Sequence, residues 1–83
     1  MLHRYWFTFE NSLRPSILNL GCGVTAVDEA DARQMIEDQV YPAYGFQEIK
    51  GVVTDVDIST LDQGHVIPNM TMPLVRGVWF PRL

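Results

Sequence analysis

The sequence predicts a small α+β domain, in which one amphipathic helix packs on a small antiparallel sheet in the order β-β-α-β-(short turn)-β. Alternating apolar and polar residues indicate strands, one stretch has helical spacing, and turn residues separate these segments. The 83 residues predict a single domain over residues 1–83. A hydrophobic content of 47% against 19% charged residues excludes a disordered chain.

The first two strands are predicted from their period of two. In residues 4–10 one face carries the aromatic residues Tyr5, Phe7 and Phe9, and the other carries Trp6 among polar residues, as a half-buried strand does. Residues 18–26 alternate again, and Gly21 and Gly23 fall on the face opposite the apolar positions. Because two glycines leave a groove without side chains, we expect the ring of Trp6 to lie across it from the neighbouring strand.

The single helix is predicted to begin after Asp28, whose carboxylate can cap free amides, and to end near Tyr41, because Pro42 restricts the residue before it. The buried stripe consists of Ala32, Met35, Ile36 and Val40. Five acidic residues share the exposed face with Arg33 alone, namely Asp28, Glu29, Asp31, Glu37 and Asp38. This segment thus carries a net charge of −4, which equals that of the whole chain.

After the helix, the pattern predicts a third strand at residues 49–58, with a bulge at Gly51, and a short capped turn at residues 59–62. An irregular apolar loop is expected at residues 65–73, because two prolines and two methionines occur there without periodicity. A last short strand is expected at residues 75–80.

The C-terminal third contains more apolar area than a one-helix core of this size needs. Its most prominent members are Met70, Met72, Trp79 and Phe80. Trp and Met are enriched at the centres of protein interfaces, so these four residues are candidates for partner binding. The alternative is that the segment covers the second face of the sheet and buries Trp6 and Val53.

Several residues could in principle carry chemistry. Cys22 with His3 or His65 is the minimum for a thiol nucleophile and base, but Cys22 alternates with apolar residues and is expected to be a buried structural side chain. Asp55 and Asp57 are expected on one strand face, and with Asp62 and His65 they could hold a hard cation or act as an acid and base pair. A solvated strand face is the simpler interpretation, so no catalytic residue, no metal site and no cofactor is predicted.

Composition restricts the partners and the compartment. A net charge of −4 disfavours nucleic acid and anionic membranes as partners. The acidic start of the helix disfavours phosphate binding after Gly21-Cys22-Gly23. One cysteine cannot form an intrachain disulfide, and neither a signal peptide nor a run of about 20 apolar residues is present, so a cytoplasmic protein is expected.

Short motifs extend over nearly the whole chain. They are Gly21-Cys22-Gly23-Val24-Thr25-Ala26 with Asp28 and Ala32, Asp55-Val56-Asp57-Ile58-Ser59-Thr60-Leu61-Asp62, His65-Val66, Pro68-Asn69-Met70, Pro73 and Arg76-Gly77-Val78-Trp79-Phe80-Pro81. Together they resemble a group of short bacterial proteins of uncharacterised function. The resemblance implies no activity for any residue. The step from strand into Val27–Ala32 is also similar to the strand-to-helix joint of small antiparallel α+β modules, which implies a fold and not a function.

Three functional hypotheses follow. The first is a small, acidic, non-catalytic module whose five helix acids and Trp79/Phe80 segment bind another protein of basic character. An immunity or antitoxin-type inhibitor, whose carboxylates take the place of phosphates, is an example. The second is a small metal- or carboxylate-dependent enzyme or subunit that uses the Asp55, Asp57, Asp62 and His65 cluster. The third is a homodimer of structural role that joins sheet edges or C-terminal segments.

Overall fold

A computed structural model describes residues 1–83 and contains a four-stranded sheet and one helix. The strands are β1 (His3–Phe9), β2 (Cys22–Ala26), β3 (Ile49–Thr54) and β4 (Gly77–Phe80). They lie in the order β3-β1-β2-β4, and every neighbouring pair is antiparallel. The predicted α+β class is therefore confirmed. None of the helices has the length and apolar character needed to traverse a membrane.

Helix α1 covers residues 29–44 and changes its winding along the way. Regular α-helix at Glu29–Met35 passes into a π-helical stretch at Ile36–Val40 and returns to α-helix at Tyr41–Tyr44. The predicted end near Tyr41 is wrong, because Pro42 lies inside the helix. In a regular α-helix its ring would clash with the carbonyl four residues earlier, and the wider π turn before it makes room for the ring.

The helix covers one face of the sheet through the predicted apolar positions. Ala32, Met35, Ile36 and Val40 are all buried. They pack with Tyr5, Phe7 and Phe9 of β1 and with Cys22, Val24 and Ala26 of β2 in one cluster. Asp28 caps the helix as predicted, since its carboxylate accepts a hydrogen bond from the Asp31 amide at 2.8 Å.

The opposite face of the sheet is covered by the chain that follows β3. Its buried cluster consists of Trp6, Val56, Leu61, Val66, Trp79 and Phe80. Successive residues of a regular strand point to opposite faces, yet Trp79 and Phe80 are both in this cluster. The register of β2 and β4 shifts between Gly23 and Val24, and this bulge lets two consecutive side chains of β4 share one face.

The two glycines of the predicted groove lie under two tryptophan rings rather than one. A Cβ atom at Gly21 would overlap the Trp6 ring, which confirms that Trp6 covers the groove there. A Cβ atom at Gly23 would overlap the Trp79 ring instead. The two rings stack with their centroids 5.8 Å apart, so the glycines allow an aromatic layer to lie directly on the sheet backbone.

β1 begins and ends one residue earlier than predicted, and three other predicted strand boundaries differ by two residues or more. β2 begins at Cys22 rather than at residue 18, because Ile17–Asn19 form a 3₁₀ turn capped by Ser16. β3 ends at Thr54, because Asp55 has a φ of +53° and turns the chain onto the second face, where Val56 is buried. β4 begins only at Gly77. The predicted bulge near Gly51 is present as a register shift between Thr8 and Phe9 on β1.

Candidate functional site

Two of the predicted partner-binding residues lie in the core. Trp79 is 1% exposed and Phe80 is fully buried. Their assignment to an interface is therefore corrected: they cover the second face of the sheet, which one helix leaves open. Met70 is half-buried and packs against the same cluster. Val53, which was expected to be buried there, is largely exposed. Only Met72 of the C-terminal candidates keeps most of its side chain on the surface.

The five acidic residues of α1 are not equally free. The Asp31 carboxylate is paired with the Arg76 guanidinium through two hydrogen bonds, and Arg76 holds the pKa of Asp31 below its usual range. Glu29 pairs with Arg33 at 2.8 Å, and Asp28 is used as the helix cap. Three acids have no cationic partner, and these are Asp28, Glu37 and Asp38. The Asp38 carboxylate accepts a 3.0 Å hydrogen bond from the Gln34 amide instead.

The thiol of Cys22 has the environment of a structural residue. It is buried under α1, and burial raises its pKa to about 12. A thiol with this pKa is almost entirely protonated at neutral pH and is a poor nucleophile. His3 binds Asp55 and His65 binds Asp62, so neither imidazole pairs with the thiol.

The four residues of the alternative carboxylate hypothesis do not form one cluster. Asp55 pairs with His3 at 2.9 Å, whereas Asp57 caps its own turn through the Ser59 amide and hydroxyl. Asp62 accepts the Gly64 and His65 amides. No group of three or more His, Cys, Asp or Glu side chains is arranged to hold a metal ion.

These hydrogen bonds also affect the protonation of the two turn carboxylates. Bonds from Ser59 lower the pKa of Asp57, and bonds from the His65 and Gly64 amides lower the pKa of Asp62. Both carboxylates are therefore ionised at neutral pH. A general acid needs a pKa near the working pH, so neither residue suits that role.

The loop before β4, residues 72–76, carries exposed apolar side chains on an attached backbone. Leu74 is 67% exposed and Val75 is 61% exposed. On one side of them the Pro73 carbonyl accepts a 2.6 Å hydrogen bond from the buried Thr25 hydroxyl. On the other side Arg76 binds Asp31 of α1. The 72–76 loop is thus attached at two points next to the acidic start of the helix.

A second surface feature is a depression of about 300 Å³ between α1 and the start of β3. It is lined by Arg33, Glu37, Tyr41, Phe46, Glu48 and Ile49. Phe46 is 77% exposed, and its ring meets the Tyr41 ring edge to face at 5.1 Å. Sequence reasoning missed Phe46 because it lies in a connection without periodicity. A phenylalanine next to Gly45, at the end of a helix, was the only available signal.

Comparison with known proteins gives no relative for this chain: no protein-family model, no curated protein and no solved structure matches it.

Proposed function

We propose that this chain is a non-catalytic protein-binding module, and that it engages a basic partner through the 72–76 loop and the acidic start of α1. The observation that carries the proposal is the exposure of Leu74 and Val75 on a loop that is attached at both ends. A loop whose backbone is already attached loses little backbone entropy on binding, so burial of its side chains contributes more of its free energy to affinity.

The charge of the surroundings supports a basic partner. Asp28 and Glu29 lie within one helical turn of Asp31, which contacts the loop through Arg76. Glu29 and Asp31 are each paired with an arginine, so the unpaired charge at the start of α1 is the negative charge of Asp28. A partner with an apolar pocket rimmed by Lys or Arg complements this surface and is steered towards it by long-range attraction.

The test compares variants of the loop with a matched control. Immobilised chain captures proteins from cells of the source organism, and each captured protein is purified and its affinity measured. The double variant Leu74→Ser, Val75→Ser should weaken binding at least tenfold, because burying two such side chains contributes roughly 1.5–3 kcal/mol each. Leu13→Ser, which removes a still more exposed leucine outside the loop, should leave the affinity unchanged.

Electrostatics is tested separately. Neutralising Glu37 and Asp38, and then Asp28 and Glu29 as well, should lower the association rate and its dependence on salt. Asp31 is kept because it holds the loop. Unchanged affinity in the loop variant, or unchanged affinity after all four neutralisations, would contradict the proposal. Sedimentation velocity of the chain alone tests whether the partner is a second copy, because the edge strand β3 could pair with another chain. A monomer would indicate a different protein as the partner.

An inhibitor of a nucleic-acid-cleaving enzyme is the sharpest form of this proposal. In that case the carboxylates of α1 would occupy positions that phosphates occupy in the substrate complex. The captured partner should then cleave nucleic acid, and stoichiometric addition of this chain should abolish the cleavage. A partner without such an activity leaves the general binding proposal standing and removes the inhibitor form.

A further inference from the structure

We propose that the depression between α1 and β3 is a binding site for a guanidinium group, supplied by an arginine side chain of a peptide or protein. This inference goes beyond the proposed function, because none of the six lining residues belongs to the 72–76 loop. The site combines an exposed aromatic ring with two carboxylates, and this is the chemistry that recognises arginine.

Hydrogen bonds hold Tyr41 and the loop that carries Phe46 in place. The Tyr41 hydroxyl donates a 2.8 Å hydrogen bond to the Gln47 carbonyl, which fixes the ring against the loop that carries Phe46. The Gln47 side chain in turn donates to the Glu10 carbonyl and to Asn19 at 2.8 Å each. Phe46 therefore presents its ring from an ordered loop, although the ring itself is mostly in water. A guanidinium stacks on such a ring and is attracted by its electron-rich face.

The charged part of the site favours a cation. Glu37 belongs to the π-helical stretch of α1, and Glu48 is the residue that precedes β3. Arg33 also lines the depression, but its side chain is already bonded to Glu29 at 2.8 Å. The depression therefore contains two carboxylates and one guanidinium that is already paired, and its net charge is negative. The planar set of donors on an incoming guanidinium can bond carboxylates in pairs, which an ammonium cannot do.

The size of the site suits one side chain. A depression of about 300 Å³ lies at the lower limit of small-molecule pockets. A ligand of this size is expected to bind with a Kd on the order of 1 mM, and a protein that offers such an arginine would gain this contribution within a larger interface.

The experiment titrates the full chain with N-acetyl-arginine amide and follows its backbone amides by nuclear magnetic resonance. The expected result is saturable shifts at Phe46, Gln47 and Glu48 and at the facing residues of α1. The citrulline analogue has a similar shape without the charge and should bind at least fivefold more weakly. The lysine analogue should also bind more weakly, because it lacks the planar donor set.

Three variants decide between a built site and general charge attraction. Glu37→Gln should weaken arginine binding at least threefold, whereas Asp38→Asn, which makes the same charge change one residue away but outside the depression, should not. Phe46→Leu keeps an apolar side chain and should also weaken binding. Equal effects of Glu37→Gln and Asp38→Asn, equal binding of arginine and citrulline or of arginine and lysine, or full binding by Phe46→Leu would overturn the proposal.

Discussion

Replacing Gly23 by alanine tests whether Trp79 belongs to the core. The added Cβ would overlap three carbon atoms of the Trp79 ring. Carbon atoms normally approach to about 3.5–4.0 Å, so the ring would have to move by more than about 1 Å. Trp79 has little room to move, because it is 1% exposed and stacked on Trp6. We expect Gly23→Ala to cost about 3 kcal/mol, the upper end for an overpacked core, and to lower the Tm by roughly 12–24 °C.

Urea and thermal unfolding followed by circular dichroism measure this cost, and a double-mutant cycle locates its origin. Trp79→Phe removes the overlapping atoms together with the buried Nε1 group, which has no hydrogen-bond partner. Relief of that unpaired donor offsets part of the lost packing, so we expect Trp79→Phe to cost only about 1 kcal/mol. The double variant should be no less stable than Trp79→Phe alone, which corresponds to a coupling of about 3 kcal/mol.

Gly64→Ala is the matched control, because the nearest atom to its Cβ would be an Asp62 oxygen at an ordinary 3.4 Å. We expect this variant to change the free energy of unfolding by less than about 0.5 kcal/mol. If Gly23→Ala were equally harmless, Trp79 would not lie on the sheet, and its place in an interface would have to be reconsidered.

Two further predictions concern titratable groups. Because Arg76 lowers the pKa of Asp31 in the folded state, the resulting stability is fully present above the unfolded value of about 4 and is lost as the pH falls through the lower folded value. Asp31→Asn should flatten this part of the profile of urea midpoint against pH, and an unchanged profile would contradict the assignment. Cys22, with a pKa raised to about 12, should not react with a thiol reagent at pH 8 in the native protein and should react once the chain is unfolded, so rapid native labelling would show an accessible thiol.

Features with a strong local cause were predicted correctly from the sequence. The alternation in β1, the Asp28 cap and the buried stripe of α1 each depend on residues within one element. The groove over Gly21 was also predictable, because an alternating strand with two glycines on one face leaves space that a neighbouring ring can fill.

Features that depend on contacts between distant segments were missed. The positive φ of Asp55 and the π-helical turn before Pro42 have no clear pattern in the sequence, and both changed the ends of predicted elements. The bulge in β4 had the largest consequence. The interface expectation for Trp79 and Phe80 came from the apolar excess of the C-terminal third. The bulge accommodates part of that excess in the core, because it places both side chains in the cluster on the second face.

The segment after β3 buries Trp79 and Phe80 on the second face, so a binding surface has to be sought among the apolar residues that remain exposed. Leu13 is fully exposed, but isolated apolar side chains on surfaces are common and carry no weight alone. Leu74 and Val75 differ, because the bonds from Thr25 to Pro73 and from Arg76 to Asp31 fix the backbone around them while leaving both side chains in water. Polar residues would be equally suitable in a loop that only connected two elements. The free energy of unfolding of the Leu74→Ser, Val75→Ser variant used in the binding test should therefore differ from that of the natural chain by less than about 0.5 kcal/mol. A large loss of stability would mean that these side chains serve the fold, and the binding proposal would lose the observation that carries it.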